Sequence, residues 1–186
     1  MEMAKKVKFK KDLSFKELLG VNNSKKQEDL KVTKLSLPLV LRRQVAGLKE
    51  KHRTSLKTTY LSLCEYGFHL IQAKWGEMLG RLKGHKEVLE KLGNRFLNVF
   101  LYDARLTLNH LEDPRPTWIY LTNWMHTEFS EMAEIICSSK DSMIRYSIYL
   151  SLKDILNVNT YDADLKAFEK QIEDLRFIIV NLSEST

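Results

Sequence analysis

The chain has 186 residues, 44% of them hydrophobic, which is enough for a folded core and argues against wholesale disorder. Its longest apolar run, at 177–180, is far too short to cross a membrane, and no apolar signal segment follows the basic start at 1–11. The two cysteines, Cys64 and Cys137, do not make a disulfide framework, so we expect a protein of the reducing cytoplasm.

Charge is unevenly distributed along the chain, whose net charge is +6. Residues 1–57 contain 16 lysines and arginines against 6 acidic residues, whereas residues 58–186 contain 14 against 18. The front therefore carries +10 and the rest −4. A basic front on a mildly acidic body is typical of a polyanion-binding end, and a solvated lysine-rich tail is the alternative.

Residues 1–30 are expected to form a flexible basic tail, because clustered lysines repel one another and apolar periodicity is lacking. One short helix interrupts this tail. Ser14 and Glu17 have the spacing of a capping box, and Leu18, Leu19 and then Gly20 as a stop follow them. Since so short a helix is marginal alone, residues 12–20 are a candidate docking motif for a protein partner.

A strand is predicted at 31–37, where polar and apolar residues alternate up to Pro38. Proline suits the first turn of a helix and favours an extended conformation for the residue before it. Leu41, Val45 and Leu48 then recur at helical spacing, which predicts a helix over 39–51 that follows the strand directly.

The segment 52–55 breaks that pattern, and Thr54 or Ser55 can cap a second helix. Its apolar stripe runs from Leu56 through Tyr60 to Met78. A basic turn between Gly80 and Gly84 predicts a boundary, so that residues 31–80 form one module and residues 85–186 another.

Residues 85–186 are predicted to form a bundle of about four helices that serves for oligomerisation or for binding a partner. Four stretches have helical spacing of apolar residues. They begin at Val88, Trp118, Ile144 and Leu165, and the second of them continues through Leu121, Met125, Phe129 and Met132.

The strand at 31–37 is the only one that the sequence predicts. A lone strand cannot satisfy its own backbone, so its expected partner is the same strand of a second copy. Two-fold symmetry would make that ribbon antiparallel, and a basic two-stranded ribbon fits the major groove of B-DNA.

In order and spacing, residues 31–75 resemble the ribbon–helix–helix (Arc/MetJ/CopG-like) DNA-binding family. The resemblance rests on the strand, Leu37-Pro38 at the junction, the stripe of the first helix and the turn before a longer helix. Family members often have glycine in that turn, where this chain has His52-Arg53, so either a strained residue or a differently built turn is expected. The implied fold is mainly α, a ribbon–helix–helix dimer module followed by a helical bundle.

The resemblance implies roles for individual residues. Base contacts would come from the outward face of the strand, at Val32, Lys34 and Ser36. Contacts to the DNA backbone would come from the amino end of the second helix and from nearby charges, at Lys31, Arg53, Thr54, Ser55 and Lys57. The dimer core would contain Thr33, Leu35, Leu37, Leu41, Val45, Leu48 and Tyr60.

No pattern predicts an enzyme, a metal site or a cofactor. The five histidines have no metal-ligand spacing, and no glycine-rich phosphate loop or nucleophile motif is present. We expect a homodimer that binds double-stranded DNA sequence-specifically, as a repressor or as a plasmid partition or relaxosome accessory protein. The alternative is a helical adaptor whose basic tail binds RNA, an anionic membrane or an acidic protein.

Overall fold

The computed structural model describes residues 13–23, 30–83, 115–135 and 139–157, together with six helical positions between Lys166 and Phe177. Within these residues, helices and a two-stranded antiparallel sheet form one fold. In chain order the elements are α1 (Phe15–Asn23), β1 (Leu30–Leu37), α2 (Leu39–His52), α3 (Leu56–Lys83), β2 (Arg115–Thr122), α4 (Asn123–Ile135) and α5 (Lys140–Leu156).

Helix α1 begins with the predicted capping box. The backbone N–H of Ser14 donates to the Glu17 carboxylate at 2.7 Å, and the Ser14 hydroxyl accepts from the Glu17 N–H at 3.4 Å. The Ser14 hydroxyl also donates to the Glu17 carboxylate at 2.7 Å, and this hydrogen bond, together with that from the Ser14 N–H, lowers the pKa of Glu17. The prediction that Gly20 ends the helix was wrong, because α1 continues to Asn23.

Helix α1 packs on α3 of its own chain. It buries Phe15, Leu18 and Leu19, and the Asn22 amide donates to Ser62 Oγ at 3.1 Å and to Glu65 Oε2 at 2.9 Å. The apolar residues that suggested docking on a partner are therefore already covered by the fold.

The strand–helix–helix order at 30–83 follows the sequence prediction. Strand β1 ends at Leu37, and Pro38 is the N-cap residue of α2 in extended conformation, as the junction argument requires. Helix α2 buries Leu41, Val45 and Leu48, the predicted stripe. Helix α3 begins at Leu56, where the Ser55 hydroxyl accepts from the Thr58 N–H at 3.0 Å and caps the first turn.

The turn between α2 and α3 is built on a left-handed residue. Arg53 has φ 53° and ψ 45°, and backbone hydrogen bonds close the turn from Arg53 to Glu50 and from Thr54 to Lys49. A residue with a Cβ is strained in this conformation. The strain expected from the missing glycine is thus located at Arg53.

Replacing Arg53 with glycine is expected to raise the free energy of unfolding by about 1 kcal/mol, because glycine adopts the left-handed conformation without penalty. Urea unfolding of the purified protein measures the change. Arg53→Ala is the control, since it removes the same charge but retains the Cβ. Equal stability of the two variants would contradict the explanation by strain.

Strand β2 corrects the predicted helix that begins at Trp118. Residues 115–122 form a strand that pairs with β1 of the same chain, and the helix α4 begins only at Asn123. The register places Val32 opposite Tyr120 and Lys34 opposite Trp118. Because β1 has a strand partner within the chain, it does not need a second copy to pair its backbone.

One hydrophobic core joins the elements on both sides of the predicted boundary. Leu35 of β1, Phe68 of α3, Ile119 of β2, Phe129 of α4 and Leu152 of α5 are all buried in it. The core lies between the inner face of the ribbon and the helices α3, α4 and α5. This arrangement leaves the other face of the ribbon uncovered at several positions.

Two of the predicted helical stripes lie outside the described residues, the one beginning at Val88 and, except at six positions, the one beginning at Leu165. The predicted helix with Ile144, Ile148 and Leu152 is α5. None of the helices at described positions has the length and hydropathy required to cross a membrane.

Candidate nucleic-acid interface

The outward face of the β1–β2 ribbon carries the predicted base-contacting residues. Side chains alternate along β1: Thr33, Leu35 and Leu37 are buried, whereas those between them are exposed. The register pairs the exposed Val32, Lys34 and Ser36 with Tyr120, Trp118 and Pro116 of β2, respectively. The outward face therefore consists of Val32, Lys34, Ser36, Pro116, Trp118 and Tyr120.

Two lysines lie over two aromatic rings on this face. Lys34 Nζ is 5.7 Å from the centre of the Trp118 ring, and Lys57 Nζ of α3 is 5.2 Å from the centre of the Tyr120 ring. Both distances are within the range of cation–π attraction, which holds each ammonium close to its ring. The face thus offers fixed positive charge beside large flat apolar surfaces.

Exposure of apolar surface on this face is high. Trp118 is 58% exposed and Val32 is 51% exposed. Tryptophan has more apolar surface to bury than most side chains. An exposed tryptophan on a basic face therefore indicates a surface suited to contact with another molecule. We call the six outward residues together with Lys57 the ribbon face.

A buried arginine of α5 holds the carboxyl end of β1 from the core side of the sheet. Arg145 of α5 is 8% exposed, and its guanidinium donates to the Ser36 carbonyl at 3.0 Å. Pro116, which lies opposite Ser36, has no backbone N–H to donate. The Ser36 carbonyl is thus held by a hydrogen bond from α5, while the Ser36 side chain stays exposed.

The predicted backbone-contacting residues fall into two groups. Lys57 lies beside the ribbon over Tyr120, whereas Arg53 is an exposed residue of the α2–α3 turn. The hydroxyls of Thr54 and Ser55 are engaged in that turn: Thr54 bonds the Thr59 hydroxyl at 2.9 Å, and Ser55 caps α3. Lys31 lies at the start of β1.

The residues predicted for a dimer core are buried within a single chain. All of them except the polar Thr33 form part of the hydrophobic core described above. Burial also raises the pKa of the Tyr60 hydroxyl to about 12. These residues are Thr33, Leu35, Leu37, Leu41, Val45, Leu48 and Tyr60.

Sequence reasoning missed Trp118, Tyr120 and Arg145. The first two were assigned to a helix. Arg145 lies in a helix that was predicted from its apolar residues alone, without a role for its charged ones. A usable signal was present at 115–122, where β-branched and aromatic residues dominate and a proline stands near the start.

A metal site requires several suitable side chains close together. No group of three or more histidine, cysteine or acidic side chains in the described part of the chain could hold a metal ion. The Cys64 thiol is fully buried, which raises its pKa to about 12 and leaves it protonated and inaccessible.

Comparison with known proteins gave no match to any family model, curated protein or solved structure.

Proposed function

We propose that this protein binds nucleic acid through the ribbon face and that its ligand is double-stranded DNA. The observation that carries the proposal is a complete two-stranded antiparallel ribbon whose outward face holds Lys34 and Lys57 over Trp118 and Tyr120. A ribbon of this width fits the major groove of B-DNA. Because both strands come from one chain, a single copy supplies the whole ribbon.

Four side chains of the ribbon face have a defined task in this proposal. Lys34 can donate to guanine O6 or N7, Ser36 can serve either base type, and Val32 can contact a thymine methyl group. Lys57 contributes charge toward the phosphates, which position the protein without reading sequence. Both a repressor and a plasmid partition or relaxosome accessory protein, the roles implied by the ribbon–helix–helix resemblance, would use such a contact.

Removal of Lys34 tests the proposal. Lys34→Ala is expected to weaken binding to a preferred duplex by roughly tenfold to a hundredfold, since a good base contact contributes about 1–3 kcal/mol of discrimination. Binding to random duplex should fall much less. We would select the duplex from DNA around the protein's own gene by gel shift with random competitor, and then measure affinity by fluorescence anisotropy at several salt concentrations.

Lys170→Ala is the matched control, because it removes the same charge far from the ribbon. Its neighbour Glu169 contacts Lys74 at 2.6 Å, and Lys74 lies about 25 Å along α3 from Lys57 at 1.5 Å per helical residue. Equal loss in both variants, or binding without sequence preference in the wild type, would refute the proposal and favour the adaptor with a basic tail.

A second candidate ligand is single-stranded nucleic acid, and the exposure of Trp118 favours it. An exposed indole flanked by an ammonium can stack on any base, and such stacking contributes about 1–3 kcal/mol per base. This candidate predicts that single strands bind more tightly than duplex. It also predicts that Trp118→Ala abolishes the preference while Trp118→Phe partly retains it.

A further inference from the structure

Three basic side chains from three elements converge beside the start of β1. They are Lys31 of β1, His126 of α4 and Lys140 of α5. Lys140 Nζ lies 2.7 Å from His126 Nε2, and Lys31 is near enough to act electrostatically on the same imidazole. None of the three belongs to the ribbon face, although Lys31 directly precedes Val32.

The short contact fixes the protonation of His126. An ammonium group can only donate, so Nε2 of His126 accepts from Lys140 and the neutral ring carries its proton on Nδ1. Partial burial of the ring and then the charges of Lys140 and Lys31 lower the pKa of His126.

The cluster has no counter-ion among the residues that the structure describes. No ion pair joins a carboxylate to Lys31, His126 or Lys140 there, and Asp141, the acidic neighbour of Lys140 in α5, is exposed. Like charges held this close repel one another, and an anion placed between them relieves that repulsion. Since each group can donate hydrogen bonds once His126 is protonated, an anion with several acceptor oxygens suits the site.

We propose that Lys31, His126 and Lys140 form a phosphate-binding site that holds a backbone phosphate of the nucleic acid on the ribbon face. The assignment of the phosphate to a nucleic acid rests on the proposed function. Along β1, Lys31 lies about 10 Å from Lys34 at 3.3 Å per residue, but their side chains point to opposite faces of the strand. The phosphate in the site is therefore one at the edge of the bound duplex, beyond the start of β1. When the phosphate binds, His126 takes a proton from solvent and donates from Nε2, so affinity rises as the pH falls.

The first experiment uses inorganic phosphate and reads His126 directly by NMR of its ring protons. The pKa of His126 is expected to be higher in phosphate than in chloride of equal ionic strength. His69 of α3 is the internal control, because burial also lowers its pKa but neither lysine acts on it. In Lys140→Gln, the pKa of His126 in chloride should rise, and its response to phosphate should shrink. Identical responses of His126 and His69 to phosphate would overturn the site.

The second experiment measures duplex binding between pH 6 and pH 7.5. Lys140→Gln should reduce the slope of log affinity against log salt by about 1 without changing sequence preference. His126→Gln should remove most of the pH dependence. Unchanged duplex binding in both variants, with phosphate still shifting His126, would overturn the assignment to a backbone phosphate. If the wild-type protein did not bind duplex DNA at all while phosphate still raised the pKa of His126, the ribbon proposal would be refuted and the phosphate site would remain.

Discussion

Gly67→Ala is expected to destabilise the protein by about 3 kcal/mol or more, because α3 and α5 cross where Gly67 leaves no space for a side chain. A Cβ at this position would lie 2.0 Å from the Ser147 carbonyl oxygen, 2.5 Å from its carbon and 2.7 Å from Ser151 Oγ. Two of these three atoms are backbone and cannot rotate away. The helices must therefore move apart, which also loosens the core around them.

The crossing at Gly67 is tied by a hydrogen bond as well as by close packing. The buried Ser151 hydroxyl lies 2.7 Å from the Leu63 carbonyl of α3 and 2.9 Å from the Ser147 carbonyl of its own helix. A separation of α3 from α5 would leave the Leu63 carbonyl without this donor in an apolar surrounding. The cost of the alanine thus includes a polar contribution.

Gly47→Ala is the matched control for Gly67→Ala. Gly47 lies in the middle of α2, and a Cβ there would meet nothing within 4 Å. Since alanine favours the helix over glycine by about 1 kcal/mol, this variant should be slightly more stable than the wild type. Urea unfolding measures both variants. A Gly67→Ala protein as stable as Gly47→Ala would mean that the helices do not cross this closely.

The sequence predicts the part of the fold that local signals determine. At 30–56, Pro38 fixes the strand-to-helix junction, the spacing of Leu41, Val45 and Leu48 fixes the buried face of α2, and Ser55 marks the start of α3. Each of these signals acts within a few residues of the chain. That is why they could be interpreted without knowledge of the rest of the fold.

The strand β2 could not be distinguished from a helix by apolar spacing alone. Trp118, Leu121, Met125 and Phe129 are three or four residues apart, as in an amphipathic helix. In the structure this run spans two elements. Leu121 follows the alternation of β2, and the two later residues follow the turns of α4. The pairing of β2 with β1 distinguishes the strand from a helix, and the paired residues are 78 to 92 positions apart in sequence.

The candidate site was predictable to the same extent. The alternation of β1 correctly turns Val32, Lys34 and Ser36 outward, since strand parity is a local property. Trp118 and Tyr120 become their neighbours only through the pairing with β2, and Lys57 reaches Tyr120 only because α3 lies against that strand. The aromatic half of the ribbon face is therefore a product of tertiary structure.

The partner of β1 distinguishes the present fold from a ribbon shared by two copies, and a pair of cysteines can test it. Val32 and Tyr120 are directly opposite on the outward face. Residues so paired have Cα atoms about 4.5–5.5 Å apart, within the range of about 4.4–6.8 Å that a disulfide requires. Cys64 is buried and Cys137→Ser removes the other cysteine, so only the two introduced thiols are available to oxidise.

In that background, Val32→Cys with Tyr120→Cys is expected to oxidise to a disulfide within one chain and to unfold at a clearly higher temperature. The bond would close a loop of roughly 90 residues, for which the chain-entropy relation gives about 4–5 kcal/mol as an upper value. A non-reducing gel should show a monomer that migrates faster than its reduced form. Thermal unfolding with and without reductant measures the stabilisation in the same sample.

The single variants Val32→Cys and Tyr120→Cys are the controls, and each should stay monomeric with unchanged stability on oxidation. If β1 instead paired with its copy in a second chain, the two introduced thiols would not lie opposite each other, and the double variant would stay reduced or form covalent dimers without closing a loop. A monomeric, stabilised double variant would instead establish that one chain contains both strands of the ribbon. The surface offered to DNA would then be asymmetric, with Lys34 on one strand and Trp118 on the other, so the preferred site should not be a palindrome centred on the ribbon.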